Sequence, residues 1–270
     1  MASASSSRRL LGAVSVLSLL SQAESFFGAG PSAATGATSS NPPPVPSKID
    51  RAENPQWIDA LKYDGEPTFD VLQRTIDFSN EREIEGRNRY FDPENYVFRG
   101  SIVGPISFEE VWRTQQGFQV FEAYSDFEAR PFGFTVDPDN PYRCYYFERW
   151  EGTNTGELKI GPLTAPPTGE QVQLPTHMMS LNWTPEGKII YACVSPPLDR
   201  FEGTTKGVGA VFGLLAGGGL KAGGTVGDAF FRFQQRFFQA IGGFGRSWSP
   251  EEEIPSWWKS KSRGADPTDL

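Results

Sequence analysis

Between Arg143 and Trp150 the chain alternates with a period of two, placing Cys144, Tyr146, Glu148 and Trp150 on one face and Arg143, Tyr145, Phe147 and Arg149 on the other. Both faces carry large side chains, so the run reads as a strand covered on two sides. The turn Asp137-Pro138-Asp139-Asn140-Pro141 precedes it, and two more strands, Gln171 to Trp183 and Lys188 to Ser195, follow around the turn Pro185-Glu186-Gly187. Upstream the period is helical. Phe69, Leu72 and Ile76 predict a helix from about Pro67 to Glu83, and Pro55 opens a shorter one with Trp57, Ile58 and Leu61 on one side. Tyr96 to Arg99 reads as extended, and Ser107-Phe108-Glu109-Glu110 is a capping box that starts a helix carrying Val111 and Trp112. Helices first and antiparallel strands later make an α+β plan.

Composition narrows the alternatives. With 38% hydrophobic residues the chain is too apolar for wholesale disorder, and with 29 Gly and 22 Pro in 270 residues it is too punctuated for a coiled coil. A net charge of −8 without a Lys/Arg-rich block argues against a nucleic-acid partner held through phosphates. Cys144 and Cys193 are two thiols rather than a disulfide framework, with one bridge or two buried free thiols as the readings. Asn182-Trp183-Thr184 is a glycosylation sequon on a predicted strand, where it is expected to go unused.

The first 25 residues read as a signal peptide: Arg8 and Arg9, an apolar run from Leu10 to Leu20, then Ala23-Glu24-Ser25 as a small-x-small cleavage site. Residues 26–53 form a Ser/Thr/Pro-rich, transit-like linker with no acidic residue from Phe26 to Ile49. The Phe26-Phe27 start resembles the bipartite presequences of algae with complex plastids, which implies plastid (chloroplast) localisation, with secretion as the alternative. A single folded domain is expected over 54–202, a Gly/Phe-rich extension over 203–247 and a loose tail over 248–270.

Thirteen of the 29 glycines lie between Gly203 and Gly245. The apolar stretch from Gly207 to Leu220 is too short to cross a bilayer. Beyond it Phe230, Phe233, Phe237 and Ile241 share one side of a helix whose polar side carries Arg232 and Arg236. That helix is expected either to pack over the domain's own sheet or to dock on a membrane surface or plastid complex through residues 207–244.

Phe98-Arg99-Gly100, Gly104-Pro105-Ile106-Ser107, Trp150-Glu151-Gly152-Thr153-Asn154-Thr155-Gly156-Glu157, Pro166-Pro167-Thr168-Gly169-Glu170 and Pro185-Glu186-Gly187-Lys188-Ile189 stand in an order and spacing that resemble the SnoaL-like branch of the nuclear transport factor 2-like (NTF2-like) superfamily. The resemblance spans about Phe69 to Leu215. It implies a cone-shaped α+β fold, in which a curved mixed sheet wraps N-terminal helices around an apolar ligand-binding pocket, and often a homodimer formed through the outer sheet face.

Polyketide-cyclase relatives abstract a proton beside a carbonyl, which needs a carboxylate or imidazole held among apolar walls. The resemblance points to Asp199, beyond the last strand, as one member of an acid/base pair. His177, the only histidine, is the other: by period two it shares a face with Met179, Leu181 and Trp183. Tyr146, Trp150, Met179 and Trp183 are expected to line the pocket. Each has a blander reading, His177 and the aromatics as core and Asp199-Arg200 as a local turn. No zinc-ligand spacing, phosphate loop, dinucleotide fingerprint or serine-hydrolase elbow is present, so no metal or cofactor is expected. Two functions stand: a noncatalytic binder of a small apolar molecule or of a protein or membrane partner, and an isomerase- or cyclase-type enzyme acting on a carbonyl-bearing lipid, pigment or polyketide-like substrate.

Overall fold

The computed structural model describes residues 61–117, 120–160, 163–220, 229–241 and 246–265. The expected signal peptide, the linker and the start of the helix at Pro55 lie outside them. Helix α1 (Val71–Asn80) begins where Asp70 caps it, the Oδ1 accepting the Gln73 N–H at 2.9 Å. A short helix α2 (Ile84–Asn88) follows, then strands β1 (Val97–Arg99) and β2 (Ile106–Ser107), then helix α3 (Phe108–Gly117). The Ser107 hydroxyl accepts the Glu110 N–H at 3.3 Å, one half of the predicted capping box. The other half is replaced: the Ser107 N–H goes to the Ser249 hydroxyl, and the Glu110 carboxylate turns to Arg113.

Strands β3 (Phe132–Asp137), β4 (Asn140–Glu148), β5 (Glu151–Thr153), β6 (Leu158–Ile160), β7 (Leu163–Ala165), β8 (Gln171–Gln173), β9 (His177–Trp183) and β10 (Ile189–Val194) complete the β region. Among the described residues, six of ten strands form one curved mixed sheet in the order β2-β1-β10-β9-β4-β3, in which β1 and β10 are the parallel pair. The pairs β5–β8 and β6–β7 stand beside it. The predicted strand from Gln171 to Trp183 is two strands, because Pro175 carries no N–H to continue the ladder. Its partner breaks at the same place, at Arg149 and Trp150 between β4 and β5. The long β4-β5/β9-β8 hairpin therefore bends, and a backbone hydrogen bond, Leu174 N–H to Trp150 C=O at 2.8 Å, bridges the bend. At the other end of β9 the turn closes through the Gly187 N–H and the Thr184 C=O at 2.9 Å, with Gly187 at φ +73°.

The α+β plan thus holds, with α1 packed on the concave face. Phe78 of α1 sits edge-on to Tyr90, Phe91 and Trp183, and Trp183 donates its indole N–H to the Thr75 hydroxyl at 3.0 Å. One apolar cluster, with Cys144, Tyr146, Leu181 and Trp183, lies under α1; a second, with Tyr124, Leu158, Val172, Leu174 and Leu214, lies beyond the bend. Both cysteines are free, Cys144 buried on β4 and Cys193 partly buried on β10. Asn182 is buried on β9, beyond reach of a glycan in the folded chain.

The glycine-rich stretch forms helix α4 (Ala210–Gly217), and its glycines are explained by packing. A Cβ on Gly217 would lie 2.3 Å from a methyl of Val172, and one on Gly213 2.7 Å from Leu174, so the small residues let α4 sit directly against β8. Among the described residues no helix is long and apolar enough to cross a membrane.

Helix α5 (Ala229–Ile241) is oriented differently from the expected sheet-packing helix. Its inward contacts are Phe231, packed with Ile102 and Ala265, and Gln235, whose amide donates to the Ile102 C=O at 2.7 Å and accepts the Ala265 N–H at 3.0 Å. Gln239 donates to the Trp248 C=O at 2.7 Å. Phe233, Phe237 and Phe238 face solvent; the side chains of Phe230 and Ile241 lie outside those described.

The tail expected to be loose is instead packed through residue 265. Ser249 N–H bonds the Pro105 C=O, Gly264 N–H bonds the Gly104 C=O, and Arg99 reaches Ser262 and Gly264. Trp258 is buried with Leu61, Val97, Ile190 and Tyr191. The Gly-Pro loop before β2 serves as the receptor for the tail segment 247–265, because its backbone carbonyls have no sheet partner and accept from the tail.

Candidate functional site

The bend between β4 and β5 creates the site. On β4 alternate residues are buried, so Tyr142, Cys144, Tyr146 and Glu148 all point inward. On β9 the inward row is His177, Met179, Leu181 and Trp183, as period two predicts. The β4–β9 register sets Glu148 opposite His177 and Tyr146 opposite Met179. Glu148 and His177 are the last pair before the sheet bends, which places a carboxylate and an imidazole at the border of the two apolar clusters.

Both are buried, at 5% and 1% exposed. His177 Nε2 lies 3.4 Å from Glu148 Oε2, outside hydrogen-bond geometry. That same carboxylate oxygen accepts the Trp150 indole N–H at 2.7 Å. Trp150 stands edge-on to the imidazole, 5.3 Å between ring centres, and is held on its other side by Phe121 and Phe127. Tyr146 is wholly buried and stacks on Phe134 at 4.8 Å. Burial first, and Glu148 beside it, hold the Tyr146 phenol well above its ordinary pKa, so it stays protonated.

Three polar atoms in this cluster, the Tyr146 hydroxyl and both His177 nitrogens, are buried without a hydrogen bond from the protein. Buried polar atoms left unpaired each cost about 1–3 kcal/mol, so three within one patch mark a place that is not optimised for stability alone.

His177 therefore stands inside, but its expected partner does not join it. Pro196 and Pro197 end β10 at Val194, and the chain leaves the sheet. Leu198 still bonds the Thr176 C=O through its N–H at 2.9 Å, but Asp199 is exposed and its carboxylate accepts the Phe201 N–H at 2.8 Å, forming a local turn. The structure gives His177 a different carboxylate, Glu148. Sequence reasoning placed Glu148 on the right face but did not select it; the signal was an acidic residue in an otherwise apolar-facing row. Of the expected lining residues, Tyr146, Trp150 and Met179 surround the pair. Trp183 lies six residues further along β9, fully buried against Phe69, Phe78 and Tyr90, and belongs to the packed core.

At the rim of the site, Arg149 bonds the Thr176 hydroxyl and pairs with Glu202, which in turn accepts the Thr176 N–H at 2.8 Å. No group of acidic, histidine or cysteine side chains among the described residues is arranged to hold a metal.

No protein-family model matches the chain, and no curated protein matches it. Solved structures do share part of the architecture. A protein from Jannaschia sp. CCS1 assigned as a SnoaL-like polyketide cyclase is 13% identical over 48% of this chain and 90% of its own, with a TM-score of 0.36. SalBIII, an epoxide hydrolase/cyclase-like enzyme with a role in pyran ring formation in the polyether salinomycin, is 18% identical over 46% and 88%, with a TM-score of 0.34. A phenazine biosynthesis-related protein from Pseudomonas aeruginosa is 12% identical over 58% and 90%, with a TM-score of 0.33. At such identities and scores the likeness leaves the chemistry of this chain to its own residues.

Proposed function

We propose that this chain is a SnoaL-like, NTF2-like domain that binds a small, mostly apolar molecule, whose polar end is received by Tyr146, Glu148 and His177 at the bend of the sheet. The observation that carries this reading is the unpaired state of the Tyr146 hydroxyl and both His177 nitrogens inside apolar walls. A ligand oxygen that accepts from the phenol and bonds the imidazole removes those penalties, and the surrounding aromatic rings supply the apolar contact. Native mass spectrometry of the protein as purified tests it: a retained small molecule that is lost in Tyr146→Phe/His177→Leu supports the reading, and an identical ligand-free mass for both proteins counts against it.

A second reading, an isomerase or cyclase, is favoured by the 3.4 Å approach of His177 to Glu148. In it a substrate C–H bond beside a carbonyl breaks, and its proton passes to a nitrogen of the His177 imidazole. The electron pair moves to the carbonyl oxygen, which becomes an enolate stabilised by the Tyr146 O–H. The Glu148 carboxylate steadies the imidazolium, which returns the proton at another carbon. The step is redox-neutral and needs no cofactor. Turnover of a carbonyl substrate that survives in Glu148→Gln/His177→Gln would overturn it.

The leader supports assignment to the plastid of an alga with complex plastids. A fluorescent reporter fused behind residues 1–53 tests this, and export from the cell would favour secretion instead. Pairing of two copies through the outer sheet face is the companion proposal, checked by the mass of the protein in solution.

A further inference from the structure

Helix α5 carries Phe233, Phe237 and Phe238 outward. Phe233 is 65% exposed, Phe237 52% and Phe238 39%, while the side turned inward is held by two glutamines. The glutamine amides bond the backbone of Ile102, Trp248 and Ala265 and Phe231 packs beside them, so the helix is anchored on that side while Phe233, Phe237 and Phe238 are left outside. Phe233 and Phe237 lie parallel, 6.4 Å between ring centres, and Phe238 meets Phe237 edge-on at 5.8 Å, forming one continuous aromatic surface. At 100° per residue, Arg232 and Arg236 fall on the same flank, between the glutamine side and the phenylalanine side.

Charge identifies what this surface faces. Helix α5 holds two arginines and no acidic residue, and residues 203–247 hold five basic residues against one acidic, a net of +4 in a chain whose total is −8. The most amphipathic of the described helices thus also lies in a strongly basic stretch of an acidic protein. A second copy makes a poor partner, because a two-fold pairing of α5 brings two stretches of net positive charge together. An anionic bilayer answers both features: the rings enter the boundary between headgroups and acyl chains, and the arginines meet lipid phosphates.

We propose that α5 is a membrane-surface anchor, which lays Phe233, Phe237 and Phe238 into the interface of an anionic lipid bilayer with Arg232 and Arg236 at its border. This anchoring is independent of the small-molecule site.

The test is co-sedimentation of the full chain with phosphatidylcholine vesicles, with and without phosphatidylglycerol, beside Phe233→Glu/Phe237→Glu and Arg236→Glu. Each substituted side chain is exposed, and the contacts of Phe231, Gln235 and Gln239 are untouched, so unchanged thermal melting verifies the fold of each variant. The wild-type protein is expected to pellet with the anionic vesicles and about tenfold less with neutral ones, with binding that weakens as salt is raised. The double phenylalanine variant is expected to stay in the supernatant, and Arg236→Glu to lose most of the preference for anionic lipid. Failure of the wild-type protein to bind anionic vesicles overturns the proposal. So does equal binding by the double variant, or a wild-type dimer in solution that the double variant abolishes without any lipid binding.

Discussion

His177 and Glu148 are neighbours across a strand pair, Nε2 to Oε2 3.4 Å, although 29 residues separate them in the chain and both are almost fully buried. Because the carboxylate already holds the Trp150 indole N–H, it is positioned before any ligand arrives. Glu148→Gln keeps an oxygen for that indole bond and removes the charge. Thermal melting is expected to change by less than about 1 kcal/mol, while ligand retention or proton-transfer activity falls by about 100-fold. Unchanged ligand retention and activity would remove Glu148 from the site.

Tyr146→Phe deletes a buried hydroxyl that makes no hydrogen bond and leaves the ring on Phe134. Relief of that burial is expected to stabilise the ligand-free protein by about 1 kcal/mol in denaturant titration, at the expense of ligand binding. A clear loss of stability would show that the hydroxyl is satisfied in solution and plays a structural part.

Gly217→Ala introduces a methyl 2.3 Å from Val172 and 2.9 Å from the Tyr124 hydroxyl, which itself donates to the Leu214 C=O. Helix propensity favours alanine by about 1 kcal/mol, yet the overpacking costs more. We expect a net destabilisation of about 1–3 kcal/mol by equilibrium unfolding. A more stable variant would mean that α4 stands off β8.

Removal of the tail from residue 248 is expected to lower the melting temperature markedly, since Trp258 leaves the cluster with Tyr191 and Arg99 loses Ser262 and Gly264. Trp258→Ala in the full chain isolates the packing part, about 3–5 kcal/mol. Melting unaffected by truncation would mean the tail is loose after all.

Acid should loosen two loop attachments. Asp126 accepts the Thr153 N–H and hydroxyl, and Glu202 accepts the Thr176 N–H and pairs with Arg149; in each the hydrogen bonds to threonine come first in lowering the carboxyl's pKa. A carboxyl with a lower pKa folded than unfolded stabilises the fold fully above its unfolded pKa and loses that contribution as pH falls through the folded one. Hydrogen exchange at Thr153 and Thr176 N–H is therefore expected to be insensitive between pH 5 and 7 once corrected for intrinsic rates, and to accelerate below about pH 4. In Asp126→Asn and Glu202→Gln the acid-dependent part at the matching threonine should vanish.

Much of the fold is legible in short-range patterns. The alternation from Arg143 to Glu148, the face shared by His177, Met179 and Leu181, the Ser107 cap and the glycine at the 184–187 turn all appear where the spacing places them, because each depends on residues a few positions apart. The break at Pro175 was available in the same way, since a missing N–H is local information. Less visible were β3, exposed along half of its length, and the short pairs β5–β8 and β6–β7, which are too brief to show a period.

The sequence by itself therefore determined the kinds of elements, their order and the inward row of each central strand. The tertiary structure alone decided that His177 meets Glu148 rather than Asp199, that Trp183 is core, that the tail folds back onto the Gly104–Pro105 loop, and that α5 shows Phe233, Phe237 and Phe238 to solvent. The physical reason is one of range. Periodicity is written along the chain, but the register of β4 on β9, and the competition between glutamine amides and phenyl rings for the inward side of a helix, are settled by partners far away in sequence. There the backbone groups of Ile102, Trp248 and Ala265 that accept or donate a hydrogen bond take Gln235 and Gln239 inward beside Phe231.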